Sequence, residues 1–194
     1  MSHQILIETA KSQLNVDDFG DLELLETLEQ ETKPLLKSRP EIIVYGRVCH
    51  QNRNVGFFSD DSIGYNYSRQ LMESQPLTEN LKKLIDFVNE KYSSNFNGVL
   101  INEYLNGCDS IGAHSDDETG LAGKNGVVAI SCGATRKFRI RDKKNRKIVK
   151  DIPMTHGQIL QMKGDFQKVF THEIPVEKRV TEPRVSFTFR YHRV

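Results

Sequence analysis

The chain has 194 residues, 37% of them hydrophobic and 27% charged, with a net charge of +1. That is enough for one domain with a substantial core, and the balance is that of a globular chain rather than a disordered one. No apolar run approaches the roughly 18 residues of a membrane span, and the first residues lack the basic start and apolar stretch of a secretory signal. Cys49, Cys108 and Cys132 are odd in number and scattered, which argues for free thiols and an intracellular protein rather than a disulfide framework.

In chain order, the first clear element is a helix over 21–33, with Leu22, Leu25, Leu28 and Glu29 at helical spacing, Asp17 or Asp18 available as a cap, and Pro34 at its end. Residues 41–67 read as short strand-like pieces punctuated by Gly and Asn. A second helix follows a Thr78 cap, with Leu81, Leu84, Ile85, Val88 and Tyr92 on one face. After Asn97 the character changes. GVLINEYL, GVVAISCG, RKFRIRD, KIVKDIPM, GQILQM, KVFTHEI and RVSFTFRYH are β-rich runs separated by turn residues. The expected class is α+β: a single domain over 1–194, with N-terminal helices and a recognition segment over about 1–95. These pack on an antiparallel sandwich or jelly roll over about 96–194.

Charge is concentrated in one place. Between Arg136 and Lys150, nine basic residues face one acid, Asp142, so this stretch carries +8 and the remainder about −7. It is either a field for a phosphate backbone or a solvated hairpin tip.

His114 and Asp116 flank Ser115 between two strand candidates, and His172 lies in the later run FTHEIP. Alternate residues of an extended segment point the same way, so the imidazole and carboxylate can reach one ion. Two histidines and a carboxylate leave open positions on Fe(II), as an oxygenase requires. H-x-D alone is weak, because turn histidines beside surface aspartates are common. RVSFTFR puts Arg184, Ser186, Thr188 and Arg190 on one strand face and Val185, Phe187 and Phe189 on the other. If the apolar face meets the core, the polar face lines either solvent or a cavity suited to a dicarboxylate.

H-x-D, a later His, and R-x-S-x-T-x-R together resemble the AlkB family of Fe(II)- and 2-oxoglutarate-dependent nucleic-acid demethylases. LINEYLNGCDSIGAHSDDE, AISCGATRKFRIR and EPRVSFTFR look like its animal branch that repairs double-stranded DNA. The likeness covers roughly 41–192, and one departure is Ser186, where the bacterial pattern has Asn. The resemblance implies iron held by His114, Asp116 and His172, with O₂ as oxidant. It implies 2-oxoglutarate held at its distal carboxylate by Arg190, hydrogen-bonded by Asn102 and Tyr104, with Arg184, Thr188 and Ser186 completing the pocket. The implied reaction hydroxylates the N-methyl group of N1-methyladenine or N3-methylcytosine, releasing formaldehyde and succinate.

For the substrate, Tyr65 and Tyr67, with Ser68, are either core or the walls of a pocket for a flipped base. Asp117 and Glu118, with Asp117 the better candidate, would favour a cationic lesion over a neutral base. Tyr45, in Val44-Tyr45-Gly46, matches a finger that fills the gap left in a duplex, or is simply a strand-end tyrosine. Arg139, Arg141, Lys143, Lys144, Arg146 and Lys147, with Lys178 and Arg179, are candidates for backbone phosphates. The expected partner is alkylated double-stranded DNA, bound by a monomer in the nucleus, or the cytoplasm of a cell without one. The alternatives are single-stranded nucleic acid or RNA, or a non-catalytic binder that would show a broken triad. A structural zinc site fits poorly with three ligands.

Overall fold

The computed structural model describes residues 3–44, 46–67, 70–117 and 126–192. Two strands come first, β1 (Gln4–Glu8) and β2 (Ser12–Asp18), then α1 (Leu22–Thr32). Residues 41–73 form two hairpins with a strand between them: β3 (Glu41–Val44) with β4 (Arg47–His50), then β5 (Asn54–Phe58), then β6 (Gly64–Tyr67) with β7 (Gln70–Glu73). After α2 (Glu79–Tyr92) come β8 (Gly98–Tyr104), β9 (Ile111–His114), β10 (Val127–Gly133), β11 (Arg136–Asp142), β12 (Ile148–Met154) and β13 (Gln158–Gly164). One helical turn, α3 (Phe166–Val169), leads into β14 (Phe170–Ile174), and β15 (Arg184–Arg190) follows.

The strands form a seven-stranded sheet, ordered β1-β2-β13-β10-β15-β8-β5, facing a four-stranded sheet, β12-β11-β14-β9. Every pairing in both is antiparallel. This is the expected jelly roll, with its helices on one outer face. Val99, Ile101, Val185, Phe187 and Phe189 point from the large sheet to that face and pack with Leu25, Leu28, Leu81, Leu84 and Val88. A second cluster, including Leu14, Val127, Phe138, Ile140, Leu160 and Phe170, fills the space between the sheets. Alternation along each strand therefore serves two interiors at once, and the large sheet is buried on both sides.

The helix at Leu22–Thr32 is capped by Asp21, which accepts from the Leu24 N–H at 3.0 Å, and not by Asp17 or Asp18. Those two residues end β2, and the buried Asp17 carboxylate takes the Tyr92 hydroxyl at 2.8 Å. Thr78 caps α2 as expected, accepting from the Leu81 N–H at 3.1 Å. The large sheet is not confined to residues beyond 96. β1, β2 and β5 join it from the first half, and β2 aligns with β13 from Ser12 opposite Gly164 to Asp18 opposite Gln158. SQLNVDD has little strand propensity of its own, so the partner strand decides its conformation. Similarly, KVFTHEI is not one strand: Lys168 and Val169 belong to α3, whose backbone N–H groups return to Asp165 O. Among the described residues no helix is long and apolar enough to cross a membrane.

Candidate metal centre and co-substrate cavity

His114 and His172 are direct neighbours across the β9–β14 pair. The register slips between His172 and Ile174, so Ile111 and His114 both face the space between the sheets. A bulge is a recurrent way to re-aim a side chain at a site. Asp116 lies two residues past His114, in the loop leaving β9. One ligand atom from each of the three residues falls within 4.8 Å of the others. The Nε2 atoms of His114 and His172 stand 3.6 and 3.7 Å from Asp116 oxygens, too far for hydrogen bonds.

The donor set fits a divalent ion. His114 Nδ1 lies 2.9 Å from the Gly112 carbonyl; a carbonyl only accepts, so Nδ1 carries the proton and Nε2 presents its lone pair inward. The His172 ring stacks on Phe138 at 5.1 Å, which fixes its plane. Burial pushes both imidazoles below their ordinary range, His172 to about 3 with the adjacent His114 adding to the effect. Burial alone would raise Asp116, but the Arg190 guanidinium and the two imidazoles outweigh it and hold the carboxyl at about 2. At neutral pH the cluster is thus two neutral imidazoles and one carboxylate, the protonation states a metal needs.

The centre opens into a cavity between the sheets. One wall is the polar face of β15, where Arg184, Ser186, Thr188 and Arg190 are all buried. The opposite strand β8 contributes Asn102 across from Ser186 and Tyr104 across from Arg184. Arg190 Nη2 lies 2.6 Å from Asp116 Oδ1, so Arg190 stands at the metal end of this wall. The guanidinium at the far end is Arg184. It lies 5.5 Å from the centre of the Tyr104 ring and donates from Nε to Ser131 at 2.9 Å. The two arginines are six positions apart on β15, and the metal-ligating side chains converge beside Arg190.

The comparison with known proteins follows this geometry. The family model described as "2OG-Fe(II) oxygenase superfamily" matches residues 20–190.

The chain belongs to the 2OG-Fe(II) oxygenase superfamily.

The group an oxygenase of this family uses is Fe(II) with 2-oxoglutarate and O₂, and His114, Asp116 and His172 can form its iron site. The human "DNA oxidative demethylase ALKBH2" is 33% identical over 175 residues, covering 87% of this chain and 67% of that protein; the mouse protein of that name is 32% identical over 183 residues. The human "alpha-ketoglutarate-dependent dioxygenase alkB homolog 3" is 38% identical over 135 residues, 65% of this chain and 47% of the relative. A solved structure, "The structure of OsALKBH1", superposes with a TM-score of 0.60 at 17% identity, covering 95% of this chain and 99% of that one.

The substrate residues divide. Tyr45, Ser68 and Glu118 lie outside the described residues; Tyr65 and Tyr67 lie in β6, with only their backbone described. Gly46, at φ 78, lies between β3 and β4. Asp117 is not among the side chains lining the cavity. Its exposed carboxylate is held by Lys143 at 2.7 Å, and that ion pair offsets the charge a cationic base would seek.

The basic run is only partly available. Arg136 is fully buried and braces the backbone carbonyls of Asn106, Asp109 and Pro175. Arg139 forms a two-pronged pair with Asp151 at 2.7 and 2.9 Å, and Arg141 pairs with Glu173 at 2.8 Å. Neighbouring strands supply acids that a count along the run misses. Lys144, Arg146, Lys147, Lys178 and Arg179 remain exposed. Sequence reading missed two residues of the site. Arg53 is buried against Asn102 at 2.7 Å and lines the cavity, and Gln167 grips the Asp116 loop. An arginine in an Asn-flanked turn and a glutamine before a strand carry no pattern.

Proposed function

We propose that the chain is an oxidative DNA dealkylation enzyme acting on N1-methyladenine and N3-methylcytosine in duplex DNA, as a single dioxygenase unit and a nuclear monomer. One observation carries this reading above all: an intact two-His, one-Asp donor set opens onto a cavity walled by two buried arginines. The name of the ALKBH2 relatives supports the choice of DNA.

Ferrous iron, 2-oxoglutarate and O₂ supply the oxidising equivalent that hydroxylates the N-methyl carbon, after which formaldehyde leaves and the base is restored. The chain's own side chains bind and orient. Arg184 takes the distal carboxylate through its planar fork, with the Tyr104 ring beneath it and Asn102 on the facing strand. Ser186 and Thr188 line the middle, their hydroxyls 3.5 Å apart. Arg190 offsets the negative charge gathered at the metal end. The apolar lining of Leu100, Ile111, Met162 and Ile174 excludes water from the oxidising centre. By resemblance, Tyr45 fills the duplex gap, and Tyr65, Tyr67 and Ser68 hold the flipped base, with Glu118 beside it. Lys144, Arg146, Lys147, Lys178 and Arg179 meet backbone phosphates, joined by Arg139, Arg141 and Lys143 where a phosphate displaces their acids.

A lesion panel tests this: methylated adenine and cytosine in duplex DNA, single-stranded DNA and RNA, with formaldehyde and succinate both measured. Release from duplex DNA is expected. Succinate without formaldehyde from any nucleic acid overturns the substrate assignment, and no consumption of 2-oxoglutarate overturns the oxygenase.

A further inference from the structure

We propose that Gln167 is a positioning residue for the iron ligand Asp116, fixing the loop that carries its carboxylate; the inference rests on the iron-centre reading above. The two histidines are held in paired strands, but Asp116 lies beyond the end of β9, where no ladder constrains it. The grip comes instead from the segment between β13 and β14. The Asp116 backbone N–H donates to Gln167 Oε1 at 2.9 Å, and Ser115 Oγ donates to the Phe170 carbonyl at 2.9 Å. Because the Asp116 N–H is a donor, the Gln167 amide oxygen must face it. The amide nitrogen then meets Met162 Sδ at 3.3 Å, and Met162 lines the cavity. Gln167 is therefore bonded at both ends, once to the ligand loop and once to the cavity wall.

Gln167 is itself firmly placed. Phe166 beside it is fully buried and packs on Phe170 at 4.9 Å. The preceding Asp165 N–H donates to the Lys11 carbonyl at 2.8 Å. Gly164, at φ 65, could carry no side chain there, since a Cβ would lie 2.2 Å from that same Lys11 carbonyl. The one-turn helix is thus seated against β2 and β13 of the large sheet.

The need for such a grip follows from the charges. Asp116 has Arg190 at 2.6 Å on one side and imidazole nitrogens at 3.6 and 3.7 Å on the other. A small rotation of an unrestrained loop would let Oδ2 as well turn onto the guanidinium and away from the imidazoles, out of the ligand set. The amide–backbone bond opposes that movement. Lys143, bridging the Gln167 carbonyl at 3.2 Å and Asp117 at 2.7 Å, adds an exposed tie that solvent weakens.

The test is Mn(II) binding, titrated without O₂ or substrate, in wild type, Gln167→Met and Gln167→Glu. Met keeps the length but removes the acceptor. Glu keeps an acceptor, with Lys143 close enough to balance its charge. Gln167→Met is expected to bind Mn(II) about 10–100-fold more weakly, while 2-oxoglutarate affinity at saturating Mn(II) and the melting temperature of the metal-free protein stay near wild type. Gln167→Glu is expected to recover most of the Mn(II) affinity. Wild-type affinity in Gln167→Met, equal loss of both ligands, or no recovery in Gln167→Glu overturns the positioning role. Absence of Mn(II) binding in the wild type would instead overturn the iron centre beneath it.

Discussion

Replacing Arg184 with methionine separates the two arginines of β15. The guanidinium is buried and donates from Nε to Ser131; its Nη1 atom has no hydrogen-bond partner among the described residues. Burial holds it at about 10, below the ordinary arginine range, so a desolvated cation stands at this end of the cavity. A charge-assisted hydrogen bond contributes about 1.5–3 kcal/mol, and losing the fork to a carboxylate should cost ~3 kcal/mol, or roughly two orders of magnitude in affinity. Folding should change little. The Ser131 bond is worth ~1 kcal/mol, and removing a buried cation relieves its desolvation. The assay is 2-oxoglutarate binding to Mn(II)-loaded protein, with the KM for 2-oxoglutarate in succinate formation as a second reading. Arg184→Met should raise both about 100-fold and leave Mn(II) affinity unchanged. Arg190→Met, which strips Asp116 of its 2.6 Å partner, should alter Mn(II) binding as well. An Arg184→Met protein that binds 2-oxoglutarate within about threefold of wild type would refute the assignment of the distal carboxylate.

Other outcomes follow from the same structure. His114→Ala and His172→Ala should abolish succinate and formaldehyde release while circular dichroism stays native; turnover in either removes it from the iron site. His192, buried and packed on Phe57 at 4.6 Å, is pushed by burial, and then by Arg190, to about 4. Its folded pKa lies below the unfolded value of about 6.5, so the stability from its neutral burial is complete above that pH and declines as pH falls towards 4. The loss is at most ~2 kcal/mol between pH 6.5 and 5. Denaturant midpoints of wild type and His192→Gln at pH 7 and pH 5 check this, and an identical pH slope in both would count against it. Cys132 lies in the core with its thiol pushed up to about 12 by burial and the nearby Glu29, whereas Cys49 and Cys108 are exposed. Alkylation of the native protein should label those two thiols and spare Cys132; a third label on the folded chain would contradict the packing.

The amino-acid sequence by itself determined the elements whose chemistry is local or periodic. The α2 face and its Thr78 cap depend on spacing alone, and so does the division of RVSFTFR into an apolar face and a polar one. His114, Asp116 and His172 were legible as a donor set because order and residue type suffice to name one, and the AlkB resemblance singled them out from chance. The tertiary structure decided whatever depends on a partner distant in the chain. Residues 12–18 became a strand because β13 offered its hydrogen bonds, and Asp17 went to Tyr92 instead of a helix end. Arg190 came to rest on Asp116, the contact on which the proposed distal role of Arg184 rests. Asp117 and much of the basic run were partly neutralised by Lys143, Asp151 and Glu173 across strand and loop contacts. Gln167 acquired its role only when a helical turn met a loop fifty residues earlier. Periodicity and residue type are properties of neighbours along the chain; charge compensation and hydrogen-bond satisfaction belong to neighbours in space, and only folding decides who those are.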